Sequence, residues 1–229
     1  MQDRRFLVAF VAALALTLLP EVASAHGVTG RDAAFVQSIN GSAVGPFMYL
    51  GAKHMVTGYD HLLFLVGVIF FLYRLKDVIL YVSLFTIGHS TTLLLGVLGN
   101  VHANAYIIDA IIGVSVVYKA FENMGGFECL GFRPNTRAAV TVFGLFHGFG
   151  LATKLQEFTI SPNGLVTNIV SFNLGVEIGQ MLALTAVLLI ISFWRKRPGF
   201  LRHSFAANTV IMTAGFMLVG YQMAGYFRQ

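Results

Sequence analysis

The densest chemistry in this 229-residue chain stands in His54-Met-Val-Thr-Gly-Tyr-Asp60-His61-Leu-Leu-Phe64, where two imidazoles and a carboxylate open an apolar run that continues to Tyr73. On a continuous helix, residues seven apart share one face, two turns apart, which would align His54 with His61 and set Asp60 beside the second histidine. Imidazole and carboxylate together suit borderline divalent transition ions such as zinc, nickel, cobalt or copper(II). The structural alternative is that Asp60 caps a helix starting near His61 and the histidines bond to neighbouring helices.

The setting of these groups is apolar. The run from Pro46 to Tyr73 is long enough to cross a bilayer, and an ionisable group near its middle costs roughly 2.5–3.5 kcal/mol on insertion scales. The whole chain has this character: 56% of its residues are hydrophobic, 11% are charged, and the mean hydropathy is +0.75. Soluble domains carry about 25% charged residues, so the fold class expected is all-α, a polytopic membrane helical bundle. The single cysteine, Cys129, excludes an internal disulfide and a thiolate cluster. No Gly-rich phosphate loop stands out, which argues against nucleotide-driven transport by this chain.

The elements that must position the polar groups follow in order. Residues 1–25 carry Arg4 and Arg5, an apolar stretch from Phe6 to Leu19 and a terminal Ala23-Ser24-Ala25, the pattern of a cleavable signal peptide. Cleavage would leave His26 as a free amino terminus able to chelate metal through its amine and ring. Residues 26–229 then form one membrane domain with six spans, placed at about 46–73, 77–99, 104–122, 137–154, 165–194 and 203–226. The signal puts the mature N-terminus outside, and six crossings return the C-terminus there. Nine Lys and Arg residues fall at expected cytoplasmic loops and helix ends, from Arg74, Lys76 and Lys119 to Arg195, Lys196, Arg197 and Arg202; four, Arg31, Lys53, Lys154 and Arg228, fall outside. That asymmetry fits a bacterial cytoplasmic membrane with periplasmic termini, and it accounts for the net charge of +5 without a nucleic acid partner.

Within the spans, His54, Asp60, His61, His89, Asp109, His147, Asn173 and Glu177 all fall between the outer third and the midplane. Similar depth on five helices points to one shared site better than to separate accidents. Asn173, Glu177 and Gln180 share a helix face. His54, Asp60, His61, His89, His147 and Glu177 are the expected metal ligands. Asp109, Asn173, Gln180 and Ser90 are expected as relay or orienting residues around them. The Phe-rich runs, such as Phe64, Phe70 and Phe71, read as lipid-facing or core.

These motifs resemble the HupE/UreJ family of small membrane proteins regarded as nickel or cobalt permeases. The matching features are His54-x5-Asp60-His61, Phe85-Thr-Ile-Gly-His89-Ser90, Phe146-His147-Gly148-Phe149-Gly150 and Phe172-Asn173-Leu-Gly175-Val-Glu177-Ile-Gly179-Gln180. Many members carry a glutamate where this chain has Ala152; Glu177 on the next helix looks like the family's second branch. The resemblance implies transport of nickel or cobalt; the ligand types themselves leave copper as the second candidate, and no catalytic residue is expected. Three other readings of the residues stay open: an intramembrane zinc hydrolase built on three histidines and a carboxylate, haem ligation by paired histidines, and a subunit that delivers metal to a partner enzyme. Expected partners are the ion, the bilayer, and either a second copy of the chain or a metalloenzyme-maturation partner.

Overall fold

Among the described residues, four helices carry enough length and apolarity to cross a membrane, and the way they pair with the remaining helices defines the fold. The structure is a computed structural model, and it describes residues 36–157 and 161–228. The signal peptide, His26 and Arg31 lie outside the described residues. Among these residues there is no strand. The helices are α1 (Val44–Thr57), α2 (Tyr59–Ile69), α3 (Leu75–Leu98), α4 (Ala105–Asn123), the short α5 (Gly126–Cys129), α6 (Thr136–Gln156), α7 (Leu165–Arg195) and α8 (Phe200–Tyr226). The four long apolar helices are α3, α6, α7 and α8. The 19-residue α4 carries three charges, Asp109, Lys119 and Glu122.

The first expected span, 46–73, is not one helix. It breaks at Gly58, whose backbone (φ −77°, ψ 89°) leaves the helical region. Placing His54 and His61 two turns apart on one continuous face is therefore a correction: they stand on two helices that meet at a joint. The connection between α4 and α6 contains the single turn α5. The remaining expected spans agree with α3, α4, α6, α7 and α8 to within a few residues.

Three close helix pairs make the frame. Met48 of α1 lies against Gly175 of α7 and Ala52 against Gly179, so these two helices run in the same direction. Phe85 of α3 faces Gly144 of α6, and His89 faces Gly148, again in the same direction. Tyr106 of α4 faces Gly225 of α8, and Val117 faces Gly215, so this pair is antiparallel. The approach is backbone to backbone. A Cβ on Gly175 would sit 1.9 Å from the Met48 carbonyl oxygen, and one on Gly148 would sit 2.0 Å from that of His89. Small residues permit such contacts in membrane bundles.

The short helix α2 occupies the centre. From Asp60 to Ile69 every residue but Leu62 is buried, the signature of a helix surrounded on all sides. Eleven residues span only about 16 Å, roughly half a bilayer core, so its end carbonyls fall inside the protein and need partners. Arg195 supplies three bonds: Nη1 donates to the Leu72 carbonyl (2.8 Å), and Nη2 donates to those of Ile69 (2.6 Å) and Phe70 (2.7 Å). Asn123 Nδ2 donates to the Gly67 carbonyl at 2.8 Å. Residues 44–72 thus lie along α7 from Asn168, whose Oδ1 accepts from the Ala43 amide at 2.7 Å, to Arg195.

Polarity is inverted relative to a soluble protein. Ile79, Ile87 and Leu95 on α3, Leu182, Leu189 and Phe193 on α7, and Phe205, Phe216 and Met217 on α8 are all exposed. Asp60, His61, His89, His147, Asn173 and Gln180 are buried. An apolar exterior of this extent matches a lipid environment.

Candidate metal centre

The joint at Gly58 brings α2 in with its N-terminus at the centre of the bundle. A Cβ on Gly58 would lie 2.9 Å from the His54 carbonyl oxygen and 3.5 Å from both Asp60 Oδ1 and His61 Nδ1, so a larger residue would crowd the joint. Asp60 in the first turn of α2 accepts the His61 amide at 2.9 Å, and its Oδ1 is 3.0 Å from His61 Nδ1. A carboxylate there also complements the positive end of the helix dipole.

Four imidazoles from four helices meet at this point. The His61 ring centroid is 5.5 Å from that of His54 on α1, 5.5 Å from that of His89 on α3 and 4.7 Å from that of His147 on α6. His61, His89 and His147 are each at most 3% exposed. Hydrogen bonding fixes two of the tautomers. A carboxylate faces Nδ1 of His61, and the Phe143 carbonyl faces Nδ1 of His147 at 2.8 Å, so both Nδ1 atoms carry the proton and both Nε2 atoms present a lone pair. The Nε2 atoms of His61, His89 and His147 are buried with no hydrogen-bond partner. Buried polar atoms are nearly always satisfied, so three orphaned ring nitrogens in one cluster are an exception that a bound ligand would account for. Among the described residues, however, no three His, Cys, Asp or Glu side chains are set closely enough to form a ready coordination shell.

The remaining expected site residues separate into two groups. Glu177 lies in the seam between α3 and α7. Its Oε1 is 3.5 Å from Ser90 Oγ and accepts from Asn173 Nδ2 at 3.4 Å, while Asn173 Nδ2 also donates to Ser90 Oγ at 3.0 Å. One step along the same seam, Gln180 Nε2 donates to Thr86 Oγ1 at 3.0 Å. Asp109 stands elsewhere. It pairs with Lys154 at 2.8 Å and accepts from Gln222 Nε2 at 3.3 Å, tying α4, α6 and α8 together. Lys154 therefore does not belong with the outer loop charges as its position in the sequence suggested. It is buried in α6, neutralised by the carboxylate it faces. Lys119 is likewise buried, paired with Glu122 at 2.6 Å, and Glu122 also accepts from the Thr136 hydroxyl.

Sequence reasoning missed an aromatic layer directly against the histidines. Phe64, Phe85 and Phe143 lie 5.6–5.7 Å apart around Phe64, and Phe64 and Phe85 lie 5.2 and 5.1 Å from the His147 ring. Phe64 and Phe85 are fully buried, so they belong to the core. The signal was present in the spacing: each phenylalanine stands three or four residues from a histidine, His61, His89 and His147, on the same helix face.

The sequence profile described as HupE / UreJ protein matches residues 30–229. The chain belongs to the HupE/UreJ family. No curated protein sequence and no solved structure gives a significant match. HupE/UreJ membership, together with the long apolar helices, makes the chain a membrane protein of a family tied to nickel and cobalt transport rather than to an enzymatic activity.

Proposed function

We propose that this HupE/UreJ protein is a permease for a divalent transition-metal ion, nickel or cobalt first and copper second. The carrying observation is the cluster of three buried, unpartnered Nε2 atoms on His61, His89 and His147, two of them held by their Nδ1 bonds in the ligating tautomer. His54 and Asp60 complete the binding region from the joint. Because the rings touch without forming a finished shell, the ion itself would draw the donors together, which suits a site that must also release its cargo. A zinc hydrolase needs a fixed three-ligand site with one open position, and no such set stands among the described residues.

Asp60 fixes the orientation of the His61 ring, as carboxylates behind ligating imidazoles do. Each imidazole must be neutral to bind, so ion entry competes with protons and loading falls in acid. The helix directions support six crossings, with α1 and α2 together as the first. α1 and α7 are parallel, as odd-numbered spans must be; α3 and α6 are parallel, as even-numbered spans must be; α4 and α8, one of each, are antiparallel. Setting aside buried Lys119 and Lys154, eight basic residues remain on the expected cytoplasmic side against three outside, an asymmetry that supports the orientation with periplasmic termini.

The test is uptake of nickel(II), cobalt(II) and copper(II) by liposomes carrying the purified protein. Saturable entry of one of them, abolished by His147→Ala, is expected. An ion held tightly but not moved would favour the delivery subunit, and tightly held zinc without uptake would favour the hydrolase.

A further inference from the structure

The seam between α3 and α7 differs from every close pair in the bundle. α1 with α7 and α3 with α6 meet backbone to backbone through glycine, whereas no glycine of the described residues makes such a contact between α3 and α7. Polar side chains bridge it instead: Ser90 to Asn173 and Glu177, then Thr86 to Gln180. Two firmly joined pairs thus face each other across a side-chain seam.

Glu177 in that seam has no counter-ion among the described residues. Among the described residues no Lys, Arg or His lies within ion-pair distance of its carboxylate, unlike Asp109 and Glu122, which each hold a lysine. Its bonds come from a neutral amide and a hydroxyl. An ionised carboxylate at membrane depth calls for a cation. Asn173, 8% exposed, also keeps a buried Oδ1 with no partner beside it. The seam begins at the histidine cluster, since Ser90 follows His89 and Asn173 follows Phe172, whose ring is 6.3 Å from that of His54. It continues to the level of the aromatic layer, where Thr86 is the neighbour of Phe85.

We propose that Glu177, with Ser90, Asn173, Thr86 and Gln180, is a second cation station, oxygen-lined, that receives the divalent ion from the histidines and carries it past the Phe64, Phe85 and Phe143 layer. This rests on the permease reading. Asn173 to Gln180 spans about 10 Å of helix, enough to bypass one layer of rings. A carboxylate with hydroxyl and amide oxygens is a harder donor set than imidazole and holds an ion that keeps part of its water shell. The station therefore accepts the ion less tightly than the histidines, as an exit site must.

The experiment compares equilibrium nickel(II) binding and initial nickel(II) uptake in liposomes for the full-length protein, Glu177→Gln, and the double variant Thr86→Val with Gln180→Leu. Both variants are expected to bind nickel within about threefold of the parent and to take it up at least about tenfold more slowly. Uptake at the parental rate in Glu177→Gln overturns the proposal while leaving the permease intact. Nickel binding lost in Glu177→Gln alone also overturns it, since Glu177 would then belong to the histidine site. A parent protein that binds nickel but never moves it overturns the permease reading and the station with it.

Discussion

At the scale of single residues, metal binding depends on which nitrogen of each imidazole is left for a ligand. His61 and His147 both spend Nδ1 on an oxygen, one a carboxylate on its own helix and one a backbone carbonyl a turn away, and this leaves Nε2 for a ligand. The two arrangements are not equivalent, because only Asp60 adds charge behind the ring. Asp60→Asn keeps the shape and an accepting oxygen but removes that charge. Nickel affinity measured by titration is expected to fall by about 10–100-fold, the usual effect of losing such a partner, with thermal stability little changed. Equal affinity in the variant would show that the carboxylate only fixes geometry. Asp109, by contrast, is already paired with Lys154, so the structural ion pair found where a relay or orienting residue was expected follows from its partner rather than from its depth.

At the scale of elements, the pairing of α3 with α6 positions two of the histidines, and Gly148 is what lets it occur. A Cβ there would meet the His89 carbonyl oxygen at 2.0 Å, and neither backbone can yield without moving its helix. Gly148→Ala is expected to destabilise the protein by at least ~2 kcal/mol, as overpacking does. Gly220→Ala, on α8 where nothing lies within 4 Å, is expected to change stability by less than ~0.5 kcal/mol or to raise it. Thermal unfolding in detergent compares the two, and equal losses would remove the backbone-contact argument. The hydropathy pattern made five of the six expected spans legible as helices because each is one continuous helix. It misplaced the first because a half-length helix and its neighbour read as one apolar run, and the break at Gly58 is a backbone conformation that composition does not reveal. Similarly, motif spacing pointed to the four histidines, whereas the Lys154 partnership and the Arg195 bonds to α2 depend on which helices are neighbours.

At the scale of the molecule, an apolar exterior encloses a polar centre, and orientation decides from which side the centre is reached. The single cysteine offers a direct reading of it. Cys129 is exposed and lies in the α4 to α6 connection, which the proposed six-span topology would put on the cytoplasmic side. A membrane-impermeant maleimide is expected to label it in inverted vesicles and not in intact spheroplasts; labelling in the reverse pattern would turn the molecule over and make entry cytoplasmic. The central claim, that the four imidazoles are one ion site, is met most directly by metal analysis of purified, tag-free protein beside a His61→Ala and His147→Ala double variant. Stoichiometric nickel, cobalt or copper in the parent, lost in the variant, is the expected result. The same metal content in both proteins, or none in either after incubation with each ion, would contradict the claim and leave the cluster a polar packing network.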